Sequence, residues 1–389
     1  MISRRAAEIT PFLVMEVLEE AQKMERAGER VIHFEVGEPD FDTPACVTAA
    51  ALKALQEGKT HYTHSMGIMD LREAICEFQR ERYGVKVEPD QVIVMQGTSP
   101  ALYLIFATIL EPDDEVIVSN PHYACYPNDV RFAGGTPVYV DIREDEGWQL
   151  HPEAIAAKIT PRTKAILINS PSNPTGVVLD PDKMKAIAGL GPLVVSDEIY
   201  HGLVYEGTEH SILEYNPDAC AVNGFSKQYA MTGWRLGYII APPELSRALQ
   251  KIHQNFFISA NPFVQWGGIA ALKDPACHAE VDVMRDTYAK RRWYMLERLE
   301  GMGLHVPHPP TGAFYILVNF KRYTQDSLNF AFEVLREAKV AVAPGIDFGS
   351  NAEGYMRFSY ATSLENIAEG MDRLAAFLAK RGEARYSGR

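Results

Sequence analysis

Residues 92–118 read VIVMQGTSPALYLIFATILEPDDEVIV, and this run carries the clearest signal of the fold class. The apolar run at 92–95 predicts a strand, residues 101–110 predict a helix, and residues 115–119 predict a second strand. Further strands are predicted downstream at 138–140, 165–168, 193–196 and 236–240. Because short apolar strands alternate with helices, we expect a mostly parallel sheet that is covered by helices on both faces.

The pattern of elements changes after Gly301. Strands are predicted there at 313–318, 340–342 and 355–359, and helices at 328–338 and 364–381. A chain of 389 residues is too long for one ordinary core, so two domains are expected. The predicted α/β architecture has a large domain at 44–285 and a smaller α+β domain at 286–389. We expect the N-terminal segment, residues 1–43, to join the smaller domain.

Four residues follow predicted strands at the point where each strand ends, namely Gly97, Asn120, Asn169 and Asp197. In a parallel sheet, ligands bind beyond the carboxyl ends of the strands. The topology therefore predicts that these four residues lie near one rim, where a small molecule binds.

Residues 223–238 read NGFSKQYAMTGWRLGY. The Lys227 amine can form a Schiff base with a carbonyl group, and Arg235 can bind a phosphate through two planar donors. The hydroxyl of Ser226 lies beside the lysine. The alternative is a solvated surface stretch, but two glycines and a tryptophan around Arg235 do not suit an exposed helix. The run therefore predicts an enzyme that holds pyridoxal phosphate.

A phosphate could also bind at the predicted junction between strand 92–95 and the helix that follows it. Thr98 and Ser99 lie at this junction, where backbone N–H groups and the positive helix end favour an anion. The alternative is a helix cap without a ligand. The chain contains no Gly-x-Gly-x-x-Gly pattern, which argues against a dinucleotide site and a nicotinamide oxidoreductase.

Asp197 lies at the end of a predicted buried strand, where an unpaired carboxylate is costly. A protonated pyridine nitrogen is a suitable partner, and Tyr200 could hydrogen-bond the ring oxygen of such a cofactor. Tyr123 could stack on a flat ring. Asp197 as a helix cap and Tyr123 as an ordinary packed aromatic remain open alternatives.

Two further side chains are candidates for the same site. Asn173 precedes a proline in a turn-rich loop, which favours an extended backbone from which its amide could point into the cleft; an ordinary loop is the alternative. Arg357 interrupts the apolar strand 355–359, so it is either at an edge or paired. An arginine at this place suits bidentate binding of a substrate carboxylate.

Composition restricts the partners of the chain. The formal net charge of -13 argues against a nucleic-acid partner, and the longest apolar runs are shorter than a membrane helix. The five cysteines form no Cys-x-x-Cys pair, so neither a disulfide framework nor a metal site is expected. We expect a cytoplasmic protein.

Taken together, these runs resemble the class I and II aminotransferases, which are pyridoxal-phosphate enzymes of fold type I. The resemblance covers nearly the whole chain, is closest to the aspartate aminotransferase branch, and rests on motifs that occur in the family's order: Gly97-Thr98-Ser99, Asn173-Pro174-Thr175-Gly176, Asp197-Glu198-Ile199-Tyr200, Ser226-Lys227 and Gly233-Trp234-Arg235.

The resemblance implies a role for each candidate. Lys227 carries the cofactor as a Schiff base and moves the proton, with Asp197 and Tyr200 as further catalytic residues. The remaining cofactor contacts are Thr98, Ser99, Tyr123, Asn173, Ser226 and Arg235. The substrate carboxylate is bound by Arg357, Asn173 and the backbone of Gly37. Tyr62 matches a tyrosine that reaches the neighbouring subunit's phosphate site, so a homodimer with shared active sites is implied.

The implied reaction transfers an amino group from an L-amino acid to a 2-oxo acid, 2-oxoglutarate or pyruvate. Some aspartate-specific members carry a lysine where Ser99 stands, so the preferred amino acid stays open. Gly224 replaces a hydroxyl residue of many members, which removes one phosphate contact. A carbon–sulfur β-lyase on the same scaffold is the nearest alternative. A non-catalytic regulator that binds the cofactor is disfavoured by the acidic balance of the chain.

Overall fold

The computed structural model describes residues 2–386. Met1 and residues 387–389, which the sequence assigns to the two ends of the smaller domain, lie outside the described residues. The helices are α1 (Arg4–Glu8), α2 (Leu13–Arg26), α3 (Ala45–Gln56), α4 (Met69–Tyr83), α5 (Thr98–Ile109), α6 (Tyr126–Phe132), α7 (Pro152–Ala156), α8 (Pro181–Ala188), α9 (Pro243–Phe256), α10 (Pro262–Lys273), α11 (Pro275–Gly301), α12 (Ser327–Ala338) and α13 (Leu364–Tyr386). Within this part of the chain, the helices are each too short or too polar to cross a lipid bilayer.

The strands form one large and two small sheets. They are β1 (Ile32–His33), β2 (Val92–Met95), β3 (Glu115–Asn120), β4 (Thr136–Asp141), β5 (Thr163–Asn169), β6 (Leu193–Asp197), β7 (Cys220–Gly224), β8 (Gly237–Ile240), β9 (Tyr315–Asn319), β10 (Val340–Ala341), β11 (Ala343–Pro344) and β12 (Tyr355–Ser359).

The large sheet has seven strands in the order β2-β8-β7-β6-β5-β3-β4. Strand β8 runs antiparallel to both of its neighbours, and the other pairs are parallel. The predicted mostly parallel sheet is thus confirmed. The carboxyl ends of β3, β5 and β6 meet at one rim because these strands share a direction.

Alternate residues of the central strands face two separate apolar cores, one on each face of the sheet. In β2, Val92 and Val94 belong to one core, whereas Ile93 and Met95 belong to the other. All four side chains are fully buried. Burial on both faces explains why these strands appear in the sequence as continuous apolar runs rather than as an alternating pattern.

The end of the chain builds a separate antiparallel sheet in the order β11-β12-β9. The N-terminal segment associates with this region, because β1 pairs with β10 in parallel, with Ile32 opposite Val340. Helix α2 packs against α12 and β11. The start of the chain is therefore placed beside its end, above the rim of the large sheet.

Candidate active site

The carboxyl ends of β5 and β6, the loop after β7 and the first turn of α5 enclose a cavity of about 300 Å³. This volume is in the range of small-molecule sites. Eleven of the twelve site residues that the sequence predicts line it: Gly37, Thr98, Ser99, Tyr123, Asn173, Asp197, Tyr200, Ser226, Lys227, Arg235 and Arg357. The twelfth, Tyr62, lies outside the cavity, and 85% of its surface is exposed.

Lys227 lies three residues beyond the end of β7, and its amine reaches into the cavity. Its Nζ donates a hydrogen bond of 2.7 Å to the carbonyl oxygen of Gly37. Burial lowers the pKa of this amine to about 8, because charged groups are poorly solvated there. Glu38 opposes this effect of burial, whereas Arg357 adds to it. A neutral amine, the form that attacks carbonyl carbon, is therefore accessible near neutral pH.

Asp197 ends β6 and is buried on the cavity floor. Its Oδ2 accepts a hydrogen bond of 2.7 Å from the hydroxyl of Tyr126, and its Oδ1 accepts one of 3.2 Å from the backbone N–H of Ile199. Burial raises the pKa of Asp197 to about 6, although both hydrogen bonds lower it. The contact with Ile199 has the form of a local cap, but Asp197 also lines the cavity, where a ring N–H could donate to it.

Tyr200 lies beyond Asp197, and its hydroxyl is 2.8 Å from the hydroxyl of Tyr315 on β9. This pair joins the large sheet to the sheet at the end of the chain. A side chain at Gly37 would overlap the Tyr315 hydroxyl, so the backbone of residue 37 approaches Tyr315 closely only because it is glycine. Tyr126 and Tyr315 both line the cavity, and neither was predicted from the sequence.

The first turn of α5 forms a cradle for an anion. Gly97 precedes the helix with φ +99°, and a Cβ there would collide with the guanidinium of Arg235. A Cβ on Gly237 would come within 2.9 Å of the Gly97 carbonyl carbon. Arg235 adopts φ +54° and donates a hydrogen bond of 2.9 Å to the carbonyl of Thr232. Because residues 97 and 237 are glycines, the Arg235 guanidinium can lie close to the N-terminus of α5, and together the two groups favour an anion.

Arg357 occupies the middle strand of the small sheet, where it is 2% exposed. Its guanidinium donates to Asn173 Oδ1 at 2.9 Å and to the carbonyl oxygen of Glu35. The paired alternative is therefore the correct one, and an edge position is excluded. The ring centroids of Tyr315 and Phe348 lie 4.3 and 4.7 Å from the guanidinium carbon, and its Nε is buried without a hydrogen-bond partner among residues 2–386. A carboxylate in the cavity could pair with this cation.

Tyr123 belongs to an aromatic group at the cavity wall. Its ring packs edge-on against Phe12, with centroids 6.0 Å apart, and against Tyr126, with centroids 5.3 Å apart. Of the four residues expected at one rim, Asn169 and Asp197 line the cavity and Gly97 supports its edge. Asn120 instead donates hydrogen bonds to Asp141 and Ser350.

This donor set fits pyridoxal phosphate. The glycine-lined cradle suits the phosphate, the buried Asp197 carboxyl suits a pyridine N–H, and the Lys227 amine lies in the same cavity. Within residues 2–386, no group of three or more histidine, cysteine or acidic side chains is arranged to hold a metal ion.

The family model of class I and II aminotransferases matches residues 29–374 of this chain. The chain therefore belongs to that family, whose members are pyridoxal-phosphate-dependent transaminases, and it falls in the aspartate aminotransferase branch.

Similar proteins cover nearly the whole length of the chain. The (5-formylfuran-3-yl)methyl phosphate transaminase of Methanocaldococcus jannaschii is 41% identical, over 98% of this chain and 100% of that protein. The aspartate/prephenate aminotransferase of Thermus thermophilus is also 41% identical, over 97% and 99%. The structure of the aspartate aminotransferase from Thermus thermophilus with maleate superposes with a TM-score of 0.93, at 42% identity, and covers 97% of this chain and 99% of that one.

Proposed function

We propose that this chain transfers the amino group of an L-amino acid to a 2-oxo acid, with pyridoxal phosphate held as a Schiff base on Lys227. The observation that supports this most strongly is the presence of three groups in one cavity: the Lys227 amine, the buried Asp197 carboxyl and the buried Arg357 guanidinium. These groups correspond to the covalent anchor, the ring partner and the carboxylate partner that such a reaction needs.

In this proposal, the phosphate is bound by Arg235, the hydroxyls of Thr98, Ser99 and Ser226, and the N–H groups of the first turn of α5. Asp197 accepts a hydrogen bond from the pyridine nitrogen, and Tyr126 keeps that carboxylate ionised by donating to Oδ2 at 2.7 Å. Tyr200 and Asn173 lie where they can bind the ring oxygen, and Tyr123 lies where it can cover the ring.

The bound cofactor supplies an electron sink for the negative charge that develops at the substrate's α-carbon. The chain supplies the proton transfer and the orientation. Arg357 pairs with the α-carboxylate together with Asn173 and the backbone of Gly37. The Lys227 amine, when an incoming amino acid displaces it, would accept the α-proton at Nζ and later give that proton up to the cofactor, acting first as a base and then as an acid. Its lowered pKa of about 8 favours this exchange near neutral pH.

The acceptor in this proposal is 2-oxoglutarate or pyruvate. The relative in Thermus thermophilus is named for aspartate and prephenate, and the one in Methanocaldococcus jannaschii for a furan phosphate. Relatives of equal identity thus act on different substrates, so family membership leaves the preferred amino acid of this chain to experiment.

We further propose a homodimer in which Tyr62 enters the partner's phosphate site. Tyr62 is 85% exposed, and an open groove lies near the cradle, lined by residues that include Leu52, Leu55 and Trp234. Leu52 and Leu55 are 53% and 40% exposed. We also propose two domains, with residues 44–285 around the seven-stranded sheet and residues 1–43 joined to 286–389.

The test is a half-reaction. The protein loaded with pyridoxal phosphate is mixed with a panel of L-amino acids, and formation of 2-oxo acid and pyridoxamine phosphate is measured. We expect stoichiometric conversion in the native protein and a rate at least about 100-fold lower in Lys227→Ala. Lys185→Ala, which removes an exposed lysine on α8, should behave as the native protein does.

Borohydride reduction followed by peptide mass analysis locates the covalent bond independently of turnover. We expect the adduct on the peptide that contains Lys227. An adduct on another lysine would contradict the assignment. Release of ammonia and pyruvate from cystathionine, without transfer to a 2-oxo acid, would instead identify a carbon–sulfur β-lyase.

A further inference from the structure

One end of the cavity is apolar, and the start of α2 forms it. Phe12, Val14 and Met15 line the cavity beside Val36. Val14 is 3% exposed, whereas Met15 is 45% exposed. The ring of Phe12 packs edge-on against Tyr123 with centroids 6.0 Å apart. This end therefore offers aliphatic and aromatic surface to whatever part of a substrate extends beyond the reacting carbon.

A carboxylate from the opposite end of the chain fixes the position of this helix. Asp347 Oδ1 accepts a hydrogen bond of 3.0 Å from the N–H of Leu13, and Oδ2 accepts one of 3.1 Å from the N–H of Val14. Phe12 itself makes no side-chain cap at this helix start. The first N–H groups of a helix lack partners within the helix, so an outside carboxylate stabilises that end.

The same short turn also contacts the substrate side of the cavity. Asp347 precedes Phe348, whose ring lies 4.7 Å from the guanidinium carbon of Arg357. Residues 345–348 thus hold both the start of α2 and one face of the arginine that is proposed to bind the α-carboxylate. This turn therefore contacts both the apolar end of the cavity and Arg357.

The charges at the cavity disfavour a substrate with a second carboxylate. In the described chain, the basic side chains that line the cavity are Lys227, Arg235 and Arg357, and each is already assigned to the cofactor or to the α-carboxylate. Three acidic side chains, Glu38, Asp129 and Asp197, also line it, and Asp197 is already assigned to the cofactor. A distal carboxylate would therefore find acidic side chains and no unassigned cation among the lining residues of this chain.

We propose that Phe12, Val14 and Met15 form the subsite for the substrate's side chain, that this subsite prefers apolar or aromatic side chains over acidic ones, and that Asp347 is its positioning residue. This inference rests on the proposed function. It names the substrate class, which neither the family nor the two relatives fix.

Binding of unreactive carboxylates to the loaded enzyme tests the subsite without turnover. Acetate, succinate and 3-phenylpropionate are titrated while the visible absorbance of the bound cofactor is followed. We expect 3-phenylpropionate to bind at least about tenfold more tightly than succinate. Met15→Ala should weaken 3-phenylpropionate by several-fold and leave acetate unchanged. The matched control is Met69→Ala, because Met69 begins α4, lies outside the cavity and is 46% exposed.

Asp347 is tested against Asp180, a carboxylate that caps a different helix from that helix's own N-cap position. Asp180 accepts hydrogen bonds of 3.0 and 3.1 Å from the N–H groups of Asp182 and Lys183 at the start of α8. Asp347→Ala should reduce the ratio of 3-phenylpropionate to acetate affinity by about tenfold, whereas Asp180→Ala should preserve it. Asp347→Asn keeps one acceptor oxygen, so its affinity ratio should lie between those of the two alanine variants. It replaces Asp347→Ala in the test if that variant does not fold.

Three results would overturn the inference. Tighter binding of succinate than of 3-phenylpropionate would show that an acidic side chain is read, for example by a residue of a partner subunit. An unchanged affinity ratio in Asp347→Ala, or an equal loss in Asp180→Ala, would remove the positioning role. If the protein takes up no pyridoxal phosphate, no absorbance change occurs with any carboxylate and the proposed function falls as well.

Discussion

The reactivity of the Lys227 amine depends on its pKa, which the surrounding protein changes. Burial lowers its pKa to about 8, compared with 10.5 for an ordinary lysine. Only the neutral amine condenses with an aldehyde. The protein environment therefore determines the pH range in which the apoprotein can take up pyridoxal phosphate.

This yields a prediction for the rate of reconstitution. The rate at which apoprotein binds pyridoxal phosphate covalently should rise with pH and level off above about pH 8. The rate rises with pH because only the neutral amine reacts. It levels off because most of the Lys227 amine is already neutral one pH unit above its lowered pKa. Stopped-flow absorbance at a series of pH values measures this rate. A rate that keeps rising toward pH 10.5 would indicate an unperturbed lysine.

Residue types, local order and the family resemblance identify about half of the residues that line the cavity. Lys227, Asp197 and Arg235 follow strands or lie in a distinctive run, so the sequence marks them. Tyr126 and Tyr315 do not carry such a signal, because their roles arise from contacts across 71 and 115 positions of the chain. Gly37 is the only sequence signal that bears on Tyr315, because a glycine can mark a place where another side chain approaches the backbone closely.

At the scale of single elements, the glycine that precedes α5 is critical. Gly97 has φ +99°, and a Cβ there would collide with Arg235. Gly97→Ala should therefore destabilise the protein by about 1–3 kcal/mol, because φ +99° with ψ 176° is a backbone conformation that essentially only glycine adopts. By displacing the guanidinium, it should also lower the affinity for pyridoxal phosphate by roughly tenfold or more. Chemical denaturation and equilibrium titration of the apoprotein measure the two effects separately.

Gly134 provides the control for this substitution. Its φ is +102°, and no atom of residues 2–386 lies within 4 Å of the place where its Cβ would be. Gly134→Ala should also carry the cost of a positive φ, but without a change in cofactor affinity. An equal loss of affinity in both variants would mean that the cradle does not depend on the close approach of residue 97 to Arg235.

Strand β1 and helix α2 are joined by a histidine between two acidic side chains. His33 Nδ1 lies 2.7 Å from Glu35 and its Nε2 lies 3.1 Å from Glu25 on α2. The hydrogen bond with Glu35 is the main reason that the pKa of His33 rises to about 9. A raised histidine pKa stabilises the fold most below its unfolded value of 6.5, and this contribution is lost as the pH rises through about 9.

We therefore expect the free energy of unfolding to fall by roughly 1 kcal/mol between pH 6.5 and pH 9, since the ring is partly exposed and solvent screens the pair. His33→Gln should remove this slope. The control is His305→Gln, which breaks the pair between His305 and Glu300. Because the His305 side chain is 70% exposed, this variant should keep the pH dependence of the native protein. Parallel stability curves for native protein and His33→Gln would contradict the assignment.

The succession of apolar strands and helices along the sequence reveals the parallel strands. It does not reveal helix α10 or the antiparallel direction of strand β8. Helix α10 (Pro262–Lys273) contains Gly267 and Gly268, which usually argue against a helix. A Cβ on Gly268 would lie 2.7 Å from Leu236, so the glycines allow α10 to pack closely against its neighbours. The antiparallel direction of β8 is likewise set by how the whole sheet closes, and local sequence carries no sign of it.

At the scale of the whole molecule, one chain does not bring every predicted site residue together. Tyr62 is exposed and lies outside the cavity, whereas the cradle residue Arg235 faces an open edge of the molecule. The exposed position of Tyr62 fits the proposed dimer, in which its hydroxyl donates to the cofactor phosphate bound by the partner subunit. The sequence marks Tyr62 by its resemblance to the family, but in the proposed dimer the group that Tyr62 contacts belongs to a second chain.

A mixing experiment tests this arrangement directly. Tyr62→Ala should lower cofactor affinity by roughly tenfold, because a hydrogen bond to a charged group is lost, and Lys227→Ala should be inactive. In a mixed dimer of the two variants, one site has Lys227 from one subunit and Tyr62 from the other, so it is intact. Refolding equal amounts together at limiting pyridoxal phosphate should therefore yield mixed dimers with about half the native activity per dimer, well above either variant alone. Activity that only averages the two separate variants would show that each chain uses its own Tyr62 or none.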